Sequence, residues 1–385
     1  MRLLLKIGKG FLIFLVLLNI LILISGNTHV YKGIVNTYMK GKMSADIDEY
    51  QIFENREVKA GTHRPWPTGL DYNKTPIPAE YLSAIESSNS IAYLLIKNDS
   101  IRVEKYWSGY GDTSVTNAFS IAKTLIGMLV GIAIEEGKIE SVEQKVGDFL
   151  PAYKEGRASD LTVKHLLTMS SGINFDESYV SPFAYPAKAY FGSDLKATVA
   201  EYEVTEKPGE QFEYLSGNTQ LLSFVLEAAT GKKVANYFSE KLWIPLGAKR
   251  PAYWSLDDED GFEKAYCCFN SNARDLARLG QLYLKKGNWF GEQLVPSEYI
   301  EESIVPARLT EKDDGSVLTR YGYSWWMLDY KNQHIYLAQG MLGQYIVVIP
   351  ESNIVSVRLA SKRSKEKRGR FPIILFTLLD YALQY

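Results

Sequence analysis

Phe119-Ser120-Ile121-Ala122-Lys123 opens an apolar run that continues to Ile134. On a helix, positions i and i+3 share a face, so the Ser120 hydroxyl and the Lys123 ammonium point the same way. A serine hydroxyl is a weak nucleophile until a neighbour takes its proton, and a lysine stripped of water can do that. Ser-x-x-Lys is therefore a signature of serine-nucleophile chemistry with a physical basis. The spacing recurs at Ser193/Lys196 and Ser364/Lys367, and an ordinary chain of this length holds about one or two by chance. Context separates the three. Ser364 lies in Lys362-Arg363-Ser364-Lys365-Glu366-Lys367-Arg368, which reads as a solvated loop. Ser193 follows Phe191-Gly192 in a polar stretch and reads as a helix N-cap. Only Ser120 opens a segment apolar on every side, the pattern of a buried helix. Gly127 and Gly131, one turn apart, let a neighbouring element come close, and Gly137 offers a C-cap. The competing reading makes Ser120 an N-cap and sends Lys123 outward along its aliphatic stem.

The rest of the composition excludes several chemistries. The formal net charge of -2 argues against non-specific nucleic-acid binding. No C-x-x-C, H-E-x-x-H or G-x-x-x-x-G-K-[ST] pattern is present, so zinc, metalloprotease and P-loop readings have no support, and neither a metal nor a cofactor is expected. With four histidines and no G-x-S-x-G elbow, a Ser-His-Asp enzyme is disfavoured. His165 reads as structural. Cys267 and Cys268 are adjacent, and neighbours rarely reach disulfide geometry, so they read as a buried free pair. Asp257-Asp258-Glu259-Asp260 reads as a solvated loop.

At the N-terminus, Arg2, Lys6 and Lys9 precede an apolar run from Phe11 to Ser25. Residues 1–26 thus read as a membrane anchor or a signal segment, with the anchor favoured because no A-x-A cleavage site follows. The positive charges place the N-terminus in the cytoplasm and the body outside the membrane, periplasmic or cell-surface. Residues 27–77 read as a stalk and irregular arm. From 78 the pattern tightens into a helix at Ala79–Ser88 and a hairpin, Ile91–Ile96 and Ile101–Trp107, turning at Asn98-Asp99. Residues 120–302 read as a mostly helical insertion. Short β-rich segments return at Tyr321–Leu328, His334–Ala338, Gln344–Ile349 and Ile354–Leu359, before a terminal helix from Phe371. Strands at both ends around a helical middle predict an α+β fold with an antiparallel sheet.

Two further clusters stand out. Phe212-Glu213-Tyr214-Leu215-Ser216-Gly217-Asn218 precedes an apolar helix, and Ala338-Gln339-Gly340-Met341-Leu342-Gly343-Gln344 joins two strands through paired glycines. Together with Phe119–Lys123 and Leu161–Gly172, in this order, they resemble the serine β-lactamase-related hydrolases: class C β-lactamases, DD-peptidases, family VIII esterases and 6-aminohexanoate-dimer hydrolases. The likeness runs from about residue 80 to the end. It is strongest to the 6-aminohexanoate-dimer hydrolase branch, through Phe212–Thr219 and Ser178-Tyr179-Val180-Ser181-Pro182.

This resemblance implies a β-lactamase/transpeptidase-like fold and an acyl-enzyme on Ser120. Lys123 and Tyr214 would be the proton-transfer pair, with the choice of base left open. The backbone N–H groups of Ser120 and Met341 would form an oxyanion hole. Ser216, Tyr179 and Gly340 would meet the substrate, a small ester or amide. Where penicillin-recognising relatives carry Lys or His ahead of the glycine, this chain has Ala338 and Gln339, which disfavours a β-lactamase. Asn218 is expected to cap the following helix. A non-catalytic, membrane-tethered sensor or binding module of the same fold is the alternative, as is a β-lactamase or DD-peptidase.

Overall fold

Asn98 and Asp99 both take positive φ, 50° and 63°, the left-handed backbone that a two-residue hairpin turn demands. They join β1 (Ser90–Lys97) to β2 (Ser100–Tyr106). Near the C-terminus follow β3 (Trp326–Tyr330), β4 (Gln333–Gly340), β5 (Gln344–Ile349) and β6 (Ile354–Ala360). In this computed structural model, which describes residues 2–42 and 44–385, they form one sheet in the order β3-β4-β5-β6-β1-β2. Met1 of the N-terminal segment and Met43 of the arm lie outside the described residues. All five pairings are antiparallel, and β6 meets β1 with Val355 opposite Ile96.

The helices that matter below are α1 (Arg2–Ile24), α2 (His29–Asn36), α3 (Ala79–Ser87), α4 (Ile121–Glu135), α5 (Tyr185–Phe191), α6 (Ser216–Thr230), α7 (Ala273–Leu284) and α8 (Ile373–Gln384). Along β1, Leu94 and Ile96 join the core shared with α4, α6 and α7, while Tyr93 and Leu95 join the core under α3 and α8. Successive side chains of a strand point to opposite faces. With both faces covered, every position must be apolar, which is why β1 reads as an unbroken hydrophobic run.

α4 is buried from Ile121 to Ala133. Its two glycines are there for close packing. A Cβ on Gly131 would stand 2.4 Å from the Tyr299 ring, and the Tyr299 hydroxyl donates to the Gly127 carbonyl at 2.6 Å. Gly137 takes φ +65° and ends the helix, as expected.

Several boundaries differ from the sequence reading. α6 begins at Ser216, inside the stretch read as preceding the helix, and its polar first turn is buried. β3 begins at Trp326 rather than Tyr321, since Ser324 takes φ +61° and breaks the strand. The cap near Ser193 is Asp194, whose carboxylate accepts from the Ala197 N–H at 2.8 Å. The stretch 27–77 carries α2 and a strand, Asn55–Val58, which pairs with Ala252–Ser255 in a small four-stranded sheet built of two- to four-residue strands. Strands so short leave little periodicity to read.

One reading of the cysteines is overturned: Cys267 and Cys268 are bonded to each other. Cys268 takes φ +68°, a backbone turn that brings adjacent sulfurs onto one side. Asp257 departs from the solvated-loop reading as well: its buried carboxylate accepts from the N–H groups of Leu195 and Phe262.

Candidate active site

The site begins with a strained residue. Phe119 takes φ +48°, a conformation that costs a bulky side chain about 1–3 kcal/mol. It is held there by the Asn117 side chain, which accepts from the Phe119 N–H at 2.8 Å, and by the Ala118 N–H donating to the Phe269 carbonyl. The chain then turns into α4 with Ser120 at the N-cap position. The Ser120 side chain caps nothing. Lys123 Nζ donates to its Oγ at 3.0 Å and to the Tyr266 carbonyl at 2.7 Å. Lys123 is 1% exposed and has no carboxylate partner among the described residues. Burial disfavours its charged form and pulls its pKa down to about 8, against the opposing charge of Glu177. The outward-pointing lysine of the competing reading is not what the structure contains.

Tyr214 lies on the loop ahead of α6, with its ring 5.1 Å from Lys123 Nζ. Burial pushes its phenol well above the usual range, and a hydrogen bond with Ser120 works the other way. Trp326 and Tyr321 wedge the ring from behind, with centroids 5.1 and 6.0 Å away. Of the Trp325-Trp326 pair, then, one packs the core and the other backs the site.

Gly340 has a steric reason to be glycine. A Cβ there would stand 2.2 Å from the Ala118 carbonyl oxygen, so the end of β4 lies directly against the turn before Ser120. The Met341–Gly343 turn beyond it is pinned by Arg358, a buried guanidinium that donates to the Gly343 carbonyl at 2.9 Å, to Ser90 Oγ at 2.8 Å and to the Ser88 carbonyl at 2.9 Å. Ser120 and Met341 line one cavity of about 210 Å³, together with Tyr179, Ser216, Tyr266 and Cys267. The Ser120 N–H has no hydrogen-bond partner among the described residues.

A residue that the sequence reading passed over organises the rim. Glu177 accepts from the Ser216 N–H at 2.7 Å, from Ser216 Oγ at 2.5 Å and from the Tyr179 hydroxyl at 2.7 Å. A carboxylate at the N-terminus of α6 is favoured by the helix dipole and the open N–H groups there. The only sequence signal was its place two residues ahead of Tyr179. Asn218 does not cap α6: it lies inside the first turn, fully buried, with Nδ2 donating to the Met169 sulfur at 3.6 Å. His165 is structural as expected, its Nδ1 accepting from the Thr162 N–H in a capping box.

A family model described as Beta-lactamase matches residues 82–378. The chain belongs to this family. It is 27% identical over 328 residues to the 6-aminohexanoate-dimer hydrolase of Paenarthrobacter ureafaciens, covering 81% of this chain and 83% of that one. A Bacillus anthracis structure with the provisional description 6-aminohexanoate-dimer hydrolase superposes with a TM-score of 0.75, at 22% identity over 88% of this chain and 92% of the other. A family VIII carboxylesterase superposes with a TM-score of 0.64, at 17% identity over 83% and 98%. The fold is thus the β-lactamase/transpeptidase-like α+β fold, and the protein is a serine hydrolase. In this member of the beta-lactamase family, the position before Gly340 is the neutral amide of Gln339, on β4.

Proposed function

We propose that Ser120 attacks the carbonyl of a small ester or amide and carries the acyl group, with Lys123 as the base and Tyr214 as the acid. The contrast between the two partners supports this assignment. At neutral pH a lysine whose pKa is drawn down to about 8 reaches its neutral form readily, whereas the phenol of Tyr214 stays protonated. Neutral Lys123 takes the Ser120 proton across the 3.0 Å contact as the Oγ–carbon bond forms. Tyr214 gives its proton to the leaving alkoxide or amine and regains one from Lys123. Water then enters in place of the leaving group, and the same pair runs in reverse to free the acid. The N–H groups of Ser120 and Met341 hold the oxyanion, and Ser216, Tyr179 and Gly340 border the substrate.

The observation that carries this reading is the buried, carboxylate-free Lys123 in contact with Ser120 Oγ. The 6-aminohexanoate-dimer hydrolase relative supports a linear amide and the carboxylesterase neighbour an ester. With Ala338 and Gln339 ahead of Gly340, a β-lactam carboxylate meets no cation there, so cephalosporins are expected to be the poorest of the three substrate types.

The body, residues 78–385, is read as lying outside the cytoplasmic membrane, carried by the arm 27–77. Within α1, residues Lys6–Ile24 have a mean hydropathy of 2.6, long and apolar enough to cross a membrane by length and composition. The test is labelling with a fluorophosphonate together with p-nitrophenyl ester turnover. Wild type is expected to form an adduct, and Ser120→Ala to lose turnover by at least about 10⁴-fold. No adduct and no turnover in the wild type would leave the non-catalytic reading standing.

A further inference from the structure

One wall of the catalytic cavity is made by the segment that follows the apolar N-terminal helix. Val30, Gly33 and Ile34 of α2 face Val180 and Phe191 across the same cavity that Ser120 and Met341 line. α2 is held on two sides. Toward the cavity, His29 Nε2 lies 2.8 Å from the Pro182 carbonyl, and Gly33 sits so close to the Phe191 ring that a Cβ would be 3.3 Å from it. Toward α1, the Tyr31 hydroxyl donates to Asn19 Oδ1 at 2.7 Å. Only Ser25 to Thr28 separate Ile24, the last residue of α1, from His29. A link that short spans at most about 17 Å.

The rim on this side is apolar and open. Val180 is 95% exposed, Tyr179 61%, Phe183 54% and Ile34 41%. Ile34, Tyr179 and Val180 line the same cavity, and exposed apolar side chains around one cavity mark a binding or membrane-contact site in a soluble domain. Ser120 and Ser216 stand on the reacting side of the cavity, while the α2 side carries Val30, Ile34, Val180 and Phe191 beside the polar His29 and Ser181. The cavity is therefore amphiphilic: a reacting side with hydroxyls and N–H donors, and a wall facing the anchor that combines apolar side chains with a few polar ones.

Resting on the hydrolase and anchor reading above, we propose that the substrate is an amphiphilic, lipid-like ester or amide drawn from the bilayer surface. Its apolar chain lies between α2 and the 180–191 segment, with its scissile carbonyl at Ser120. A bilayer-borne molecule would then pass from the membrane edge to the serine along the open apolar rim.

The test uses the full chain reconstituted in phosphatidylcholine vesicles, with p-nitrophenyl acetate, butyrate and octanoate as probes, each rate divided by its hydroxide-catalysed rate. The kcat/KM is expected to rise at least tenfold from acetate to octanoate. Val180→Asp and Ile34→Asp are both at exposed positions, and each is expected to lower the octanoate-to-acetate ratio at least fivefold. A fluorogenic ester lipid confined to the same vesicles should be hydrolysed. Acetate turnover with a flat chain-length profile, or a ratio that neither variant moves, overturns the amphiphile proposal and leaves the hydrolase standing. Hydrolysis of the ester lipid in detergent micelles alone overturns the bilayer route. No turnover of any ester, acetate included, removes the hydrolase reading and this proposal with it.

Discussion

The two sides of the catalytic cavity are built in opposite ways. On the reacting side, every group is locked by something buried: Lys123 by the Tyr266 carbonyl, Tyr214 by Tyr321, and the Met341 turn by Arg358. On the other side, α2 and the 178–191 segment meet solvent with Val180, Phe183 and Tyr179. Preorganised donors act on developing charge without having to move, so the reacting side gains from rigidity. An apolar surface that takes a chain needs area rather than angular precision. Chemistry and recognition are thus separated in space. Substitutions on the locked side should damage every substrate alike, and those on the open side should change only the choice among substrates.

The largest expected effect tests the locked side. Gly340→Ala places a methyl group against the Ala118 carbonyl and must move either β4 or the turn before Ser120. Displacing the proposed oxyanion donor, the Met341 N–H, is expected to cost about 10²–10³ in kcat. The loss should be equal for acetate and longer esters; a loss confined to long esters would erase the distinction between the two sides.

A smaller effect concerns protonation. The folded Lys123 pKa of about 8 lies below the ordinary lysine value, and the proposed base role makes the neutral amine the active form. The kcat/KM should therefore be full above pH 8 and fall about tenfold per unit as pH drops below it. No downturn from Tyr214 is expected near neutrality, because burial holds its phenol protonated far above that range. A flat profile between pH 6 and 8 would take the base role away from Lys123.

The smallest effect belongs at the boundary between the sides. Glu177→Gln keeps the shape but loses the charge that Ser216 and Tyr179 donate to. A neutral acceptor forms weaker hydrogen bonds, with charge assistance worth roughly a factor of two in bond strength. A kcat/KM loss of about tenfold or less is expected, seen more in KM than in kcat. The Lys123-controlled limb should also shift to lower pH, since removing this negative charge further disfavours the ammonium. An unchanged limb would restrict Glu177 to holding the rim.

What the sequence made legible follows the same division. The Ser120/Lys123 spacing, the glycines of α4 and the paired glycines after β4 each answer a local steric or chemical demand, so the chain itself displays them. Asn98-Asp99 displays its hairpin for the same reason. Glu177 did not stand out, because a glutamate in a polar loop looks the same whether it faces water or Ser216. The bond between Cys267 and Cys268 depended on the backbone of Cys268, which spacing alone does not report. α2 was read as part of a stalk since its partners, Pro182 and Phe191, lie far along the chain. The Asn55–Val58 strand was missed for the same reason, its partner being Ala252–Ser255.

The order of the sheet bears on how the protein is made. β1 leaves the ribosome long before its neighbour β6, and Ile96 has no Val355 to pair with until then. β4, whose Gly340 abuts the Ser120 turn, arrives equally late. The nascent chain therefore carries Ser120 and Lys123 through a long stretch of synthesis without the strand that abuts their turn. The proposed acylating chemistry can be assembled only after β4 has emerged, by which time α1 has long since left the ribosome.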